Sequence, residues 1–288
     1  MSKLMSIEKG NADRRLCLLA ATVTVVVFLL PLTVKFPLID PDEGFHGSIA
    51  QEMVERGDWL VPHHLGYPFL DKPVLYFWCQ ALSLECFGMN EFAVRLPGLS
   101  CGLLGCVTTG IVAARMFGRT AGLLSAIFYG TMILPVALAQ AAAHDVLLVP
   151  CVNLAILLFW EGDRAKSWKT SSKFALAIGI ILGVAILAKG LMGVALVGVT
   201  YGSYLLLARR LSLAACYRGA VAICIAAAIA SIWYLAAEQR NPGYLCYYFL
   251  DRHVLGFATA TQRHGESPWW LYLPVLLGGD NLERANKM

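Results

Sequence analysis

Residues 16–34 read LCLLAATVTVVVFLLPLTV, and after the five residues 35–39 comes Asp40-Pro41-Asp42-Glu43-Gly44-Phe45-His46. A bilayer core needs about 20 apolar residues to be crossed as a helix, and the first run supplies them. The second stretch places three carboxylates and an imidazole where that helix leaves the hydrocarbon. Ionisable groups at such a position are costly to hold and mark functional sites. The pair of stretches therefore predicts a membrane-spanning helix that delivers a chemically active loop.

The rest of the chain agrees with a membrane class. Of its 288 residues 58% are hydrophobic and only 15% charged, and the mean hydropathy is +0.64. Beyond 16–34, membrane-length runs are expected at 94–114, 120–139, 145–160, 174–193, 191–208 and 217–237, with an eighth opening near 269. The fifth and sixth nearly abut at Lys189-Gly190, as in a tight hairpin. The expectation is an all-α integral membrane protein of about seven or eight transmembrane helices, forming one domain over 1–288. The first run has a basic leader like a signal peptide. It continues past Pro31 with no small-x-small cleavage site and is read as a retained anchor.

Charge sets the expected orientation. Lys3, Lys9, Arg14 and Arg15 precede the first run, and Arg115 and Arg119 lie between the second and third. Arg164, Lys166, Lys169 and Lys173 lie between the fourth and fifth, and Arg209, Arg210 and Arg218 between the sixth and seventh. These loops alternate, so the positive-inside rule puts them and the N-terminus in the cytoplasm. The remaining loops, with all six histidines, fall outside. The net charge of +4 follows from this asymmetry and says nothing about nucleic acid. There is no glycine-rich phosphate loop and no dinucleotide fingerprint, so no nucleotide is expected. Nine cysteines show no CxxC or zinc-type spacing.

Two outside segments hold the candidate chemistry, 35–93 and 238–268. In the first, Phe45, Ile49 and Met53 share one helical stripe over 43–56, as in a helix lying in the interface plane. Gly57-Asp58-Trp59-Leu60-Val61-Pro62 ends it. A turn-rich stretch leads to Asp71-Lys72-Pro73, and a second apolar helix of about fifteen residues starts at Val74.

Asp40-Pro41-Asp42-Glu43, Ile49-Ala50-Gln51-Glu52-Met53, Gly57 to Pro62, Asp71-Lys72-Pro73 and Glu91-Phe92-Ala93-Val94-Arg95-Leu96-Pro97 occur in that order. With Asp145, Lys189-Gly190 and Ser267-Pro268-Trp269-Trp270-Leu271-Tyr272-Leu273-Pro274, they resemble the bacterial membrane glycosyltransferases related to protein O-mannosyltransferases and to the lipid A aminoarabinose transferase. The resemblance implies a glycosyltransferase C-type fold with interfacial helices in a large first extracytoplasmic loop. It implies an enzyme of the plasma (inner) membrane that takes a polyprenyl-phosphate sugar and passes the sugar to a lipid, glycan or protein. On this likeness Asp42 is the catalytic base and Lys72 contacts the donor phosphate; from their charge at the membrane edge, Asp145 and Glu43 are read as assisting Asp42, and Arg95 and Lys189 as further phosphate ligands or as interface anchors. Asp71 and His264 would hold a divalent metal, Mg, Mn or Zn.

The chemistry suits the residues. A carboxylate near the bilayer is raised toward a useful pKa by desolvation, and cations stabilise a departing phosphate. Each residue also has a structural alternative: Asp42 and Asp145 as N-caps, Glu43 at a helix dipole, Lys72 as a snorkelling anchor. Aminoarabinose transferases carry Arg-Tyr shortly after Asp-Glu, where Phe45-His46 stand here; this points to the broader family. Relatives continue for further spans, so the chain reads as C-terminally shortened, and a non-catalytic remnant is one alternative. A secondary transporter or flippase is another, although the charges gather in loops rather than at mid-span.

Overall fold

The computed structural model describes residues 22, 25–28, 37–38, 42–141, 143–165 and 167–255. Helix α1 is Asp42–Arg56, followed by a two-stranded antiparallel hairpin, β1 His63–His64 and β2 Tyr67–Pro68. Then come α2 Leu75–Phe87, α3 Glu91–Phe117, α4 Arg119–Thr131, α5 Ile133–Gln140, α6 Asp145–Asp163 and α7 Trp168–Lys189. Helix α8 is Met192–Leu207, α9 is Leu213–Arg240, and a π-helix, α10, covers Cys246–Leu255.

Four of these helices, α3, α6, α7 and α9, are long and apolar enough to cross a membrane, and α4 with α5 makes a fifth if the bent pair is one span. The expected third span, 120–139, is therefore two helices meeting at 57° around Met132. Helix α8 has 16 residues, about 24 Å of rise, short of a full bilayer core. The fifth span begins earlier than expected, so Lys169 and Lys173 stand in the first turns of α7 rather than in a loop. Large apolar side chains such as Ile111, Phe128, Val199 and Ile232 face outward, as suits helices surrounded by lipid. The expected span near 269 lies outside the described residues, and so does most of 16–34.

Contact-based division places residues 1–237 in one unit and 238–288 in another. In the first, α3 packs along α4 and α6, and α6 along α7. Small residues permit the closest approaches. A Cβ on Gly98 would lie 2.5 Å from the Ala139 carbonyl oxygen and 3.0 Å from the Tyr76 hydroxyl. Phe28 of the first apolar run is fully buried with Leu99, Cys101, Ala139 and Val146, and so packs on α3, α5 and α6. In the second unit, the Glu238 carboxylate accepts from the backbone N–H groups of Gly243 and Leu245. That clasp tightens the turn before α10.

The first loop is ordered by specific bonds. Ile49 and Met53 are buried while Glu55 and Arg56 are exposed, the stripe the sequence predicts. Gly57, at φ 67°, stops α1 in the left-handed region that favours glycine. Asp58 Oδ1 then accepts from the N–H groups of Leu60 and Val61 at 3.0 and 3.2 Å. Two indoles pin the same turn: Trp78 Nε1 donates to the Trp59 carbonyl at 2.6 Å, and Trp233 Nε1 to the Leu60 carbonyl at 2.9 Å. The turn-rich stretch contains the short β1–β2 hairpin, so the expected all-α fold carries one small strand pair. At the other end of α2, the Asn90 side chain accepts from Ala93 N–H at 2.9 Å and caps α3.

Candidate active site

Asp42 is the first residue of α1. Glu43, next to it, is buried and bound by Arg95 of α3. Arg95 Nε donates to Glu43 Oε1 at 3.0 Å and Nη2 to Oε2 at 2.8 Å, while Nη2 also donates to the Pro37 carbonyl at 2.9 Å. This fork binds the start of α1 to α3 and to the chain just before it. Two residues expected to touch substrate, Glu43 and Arg95, thus hold each other.

One turn after Asp42, His46 faces His144, with ring centroids 4.6 Å apart. His144 is buried, and Tyr76 and Phe77 of α2 pack on it at 4.7 and 4.8 Å. Neither of its ring nitrogens meets a hydrogen-bond partner among the described residues. Burial drives the His144 pKa well below its ordinary value, and the charges of His46, Lys72 and Lys189 push the same way. The imidazole is therefore neutral at physiological pH. Burial likewise lifts the Tyr76 phenol well above its usual range, with smaller contributions from Cys101, Cys79 and Glu43.

His144 leads into α6, whose first residue, Asp145, forms an ion pair with Lys189 at the end of α7. Asp145 is exposed and Lys189 half-buried. Lysine at a helix C-terminus is favoured by the dipole, and so is aspartate at an N-terminus. The next residue, Gly190, sits at φ 64° and turns the chain into α8. Lys72 is half-buried in the segment between β2 and α2, and its charge is felt at His144. Asp71 precedes it.

Four pieces of chain therefore meet around His144: the first turns of α1, the Asp71-Lys72 segment with α2, the head of α6 and the tail of α7. Phe45 extends the aromatic wall, meeting His64 at a tilt at 4.5 Å and Phe69 edge-to-face at 5.2 Å. Two lysines and a buried aromatic wall around His144 offer charge that can receive a phosphate, and Asp42 begins the helix that brings His46 to that wall. Sequence reasoning missed His144, Tyr76 and Phe77. The only local signal was a histidine directly before Asp145 at a span entrance. His264 lies outside the described residues, and among those described no three His, Cys, Asp or Glu side chains gather as metal ligands.

Residues 71–234 match the family model of dolichyl-phosphate-mannose-protein mannosyltransferase. The undecaprenyl phosphate-alpha-4-amino-4-deoxy-L-arabinose arabinosyl transferase of Edwardsiella ictaluri is 30% identical over 260 residues, covering 90% of this chain and 47% of the relative. The enzyme of that name from Yersinia enterocolitica is 29% identical over 276 residues, covering 96% and 49%. The chain spans about half the length of the curated relatives it matches. Crystal structures of ArnT from Cupriavidus metallidurans share the fold. The apo form has a TM-score of 0.79 at 25% identity, over 91% of this chain and 47% of that one. The form bound to undecaprenyl phosphate has a TM-score of 0.77 at 27% identity, over 91% and 48%. The matched stretch exceeds half of this sequence and includes Lys72, Arg95, Asp145 and Lys189; the chain belongs to the dolichyl-phosphate-mannose-protein mannosyltransferase family.

Proposed function

We propose that this chain carries the donor site of an inverting glycosyltransferase, hexosyl or pentosyl, that moves a sugar from a polyprenyl phosphate to a lipid, glycan or protein. The observation that carries this reading is the meeting of α1, Lys72, Asp145 and Lys189 around a buried neutral histidine. Lipid-linked sugar phosphates present the anomeric carbon at the membrane surface. Asp42 takes the proton of the acceptor hydroxyl, and the oxygen attacks the anomeric carbon from the face opposite the phosphate. The bond from that carbon to the phosphate oxygen breaks, and its electron pair leaves on the phosphate. Lys72 and Lys189 neutralise the charge that develops there. Asp145 keeps Lys189 in place until the phosphate competes for it.

Glu43 and Arg95 act, in this reading, by holding Asp42 in position. The name of the matched relatives supports an undecaprenyl phosphate carrier. Phe45-His46, standing for Arg-Tyr, leaves the wall aromatic and without a guanidinium, which favours a sugar other than aminoarabinose. With the runs at 16–34 and near 269, seven or eight spans are counted, the N-terminus lies in the cytoplasm and the site lies outside. Asp71 and His264 would hold a divalent metal beside the phosphate.

The test is transfer of radiolabelled sugar from polyprenyl phosphate donors, run with and without chelator, beside uptake into sealed vesicles. Asp42→Asn should lower transfer by about 10²–10⁴-fold with membrane insertion unchanged. Full transfer by that variant removes Asp42 as base. Vesicle uptake without transfer makes the protein a flippase. An unchanged rate after chelation removes the metal.

A further inference from the structure

Helices α6, α7, α8 and α9 line a groove of about 180 Å³ that runs from Val194, near the start of α8, to Phe159, Leu205 and Ala215 at the other end. The two ends of α6, Asp145 and Asp163, are 18 residues apart, about 27 Å along the axis. The cavity is lined by Phe159, Leu182, Val197, Leu205 and Ile223, with the backbones of Gly198, Gly202 and Gly219 between them. A Cβ on any of these three glycines would meet no atom within 4 Å, so the space is open at their faces. A cavity of about 150 Å³ lined by aliphatic side chains stays dry and accepts a benzene-sized guest. This one therefore suits several methylenes and is too small for a sugar phosphate. Ile223 of the lining is also exposed on the outer surface, so the groove opens there. A groove opening into hydrocarbon fills with hydrocarbon, because an empty one forfeits dispersion contacts.

The mouth is charged. Helix α8 ends at Leu207 and α9 begins at Leu213, and Arg209 and Arg210 make the turn between them. Asp163 meets Arg218 at 3.3 Å and Arg210 at 3.5 Å. Arg218 is buried, donating also to the Gly162 carbonyl and the Tyr201 hydroxyl at 2.9 and 3.0 Å. Arg209 is exposed. Nearby Glu161 faces Arg115 at 3.2 Å, and Arg164 lies over the Trp160 ring at 3.6 Å. Two guanidiniums thus share the Asp163 carboxylate, Arg209 adds a third positive charge beside them, and the surplus is positive.

We propose that this cavity binds one acyl chain of an anionic phospholipid, whose phosphate sits at the Arg209-Arg210 turn. The headgroup position is separate from the proposed transfer reaction, because Asp163 and its arginines lie at the opposite end of α6 from Asp145. Basic clusters at the membrane surface favour anionic headgroups over zwitterionic ones, and the apolar cavity supplies the contact that an unbound surface charge lacks.

The full chain, purified in detergent and stripped of lipid, is titrated with dioleoyl phosphatidylglycerol and with dioleoyl phosphatidylcholine, and binding is read by native mass spectrometry. Phosphatidylglycerol should bind about tenfold tighter or more. Gly202→Leu fills the cavity and should lower that binding at least about fivefold. Arg209→Gln with Arg210→Gln, both at exposed positions, should bring the two lipids to equal affinity even if Gly202→Leu fails to fold. Equal affinity in the unsubstituted chain, or unchanged binding in the arginine variant, overturns the proposal. So does undecaprenyl phosphate displacing phosphatidylglycerol at lower concentration, which would give the cavity to the carrier. No uptake of either lipid also overturns it and leaves the groove to a protein segment.

Discussion

Helix α3 carries an arginine near each end, and each meets a glutamate. Arg95 grips Glu43 through two bonds of 3.0 and 2.8 Å, both side chains buried. Arg115 reaches Glu161 through one contact of 3.2 Å, with its own side chain 66% exposed. The chemistry is the same and the settings are opposite. A buried pair has given up its water, so either partner alone is an uncompensated charge, while an exposed pair returns to solvent at little cost. The head of α3 is therefore fixed in shape by electrostatics, and the tail is held by packing. A base that must sit within a fraction of an ångström of a hydroxyl belongs at the fixed end.

The largest effect expected from breaking this contrast is at Arg95. Arg95→Ala should destabilise the protein by about 3–5 kcal/mol, since Glu43 is left buried and unpaired. Glu43→Gln combined with Arg95→Met should recover much of the loss in a thermal melt. If Arg95→Ala melts like the parent, the pair does not hold α1. An intermediate effect should follow pH. The His144 pKa is lowered in the folded state, so the unfolded chain takes up the proton first as pH falls. Stability is full above about pH 6.5 and declines below it by about 1 kcal/mol per pH unit. His144→Phe should flatten that decline between pH 6.5 and 5.5, and melts that stay equally steep would deny His144 this part. The smallest effect belongs to the tail: Arg115→Ala should change stability by less than about 0.5 kcal/mol. A loss above 1 kcal/mol would make the two ends of α3 alike.

Local pattern made much of this legible. The stripe Phe45, Ile49, Met53 and the Gly57 stop gave α1 nearly to the residue, and Asp71-Lys72-Pro73 placed the segment before α2. Hydropathy located α3, α6, α7 and α9, because membrane spans announce themselves by composition. What stayed hidden depends on distance along the chain. Glu43 and Arg95 are 52 residues apart, and nothing in the sequence around either names the other. His46 meeting His144 is hidden in the same way. The 57° break at Met132 is flanked by Gly130 and Pro135, breakers that a reading by hydropathy alone passes over. The hairpin turns at Leu65-Gly66, with Leu65 itself at φ 51°, a conformation that a leucine does not advertise.

Gly98 shows where the architecture has no slack. The missing Cβ is what lets α3, the last turn of α5 and the Tyr76 hydroxyl occupy one point, and the ring of Tyr76 is packed on His144. A single added carbon would not be absorbed where it is placed. It would be handed along the phenol, from a helix crossing inside the bundle to the dry wall beside the lysines. The packing around His144 is thus calibrated by an absence, and residue 98 works as the zero mark from which the position of that aromatic wall is measured.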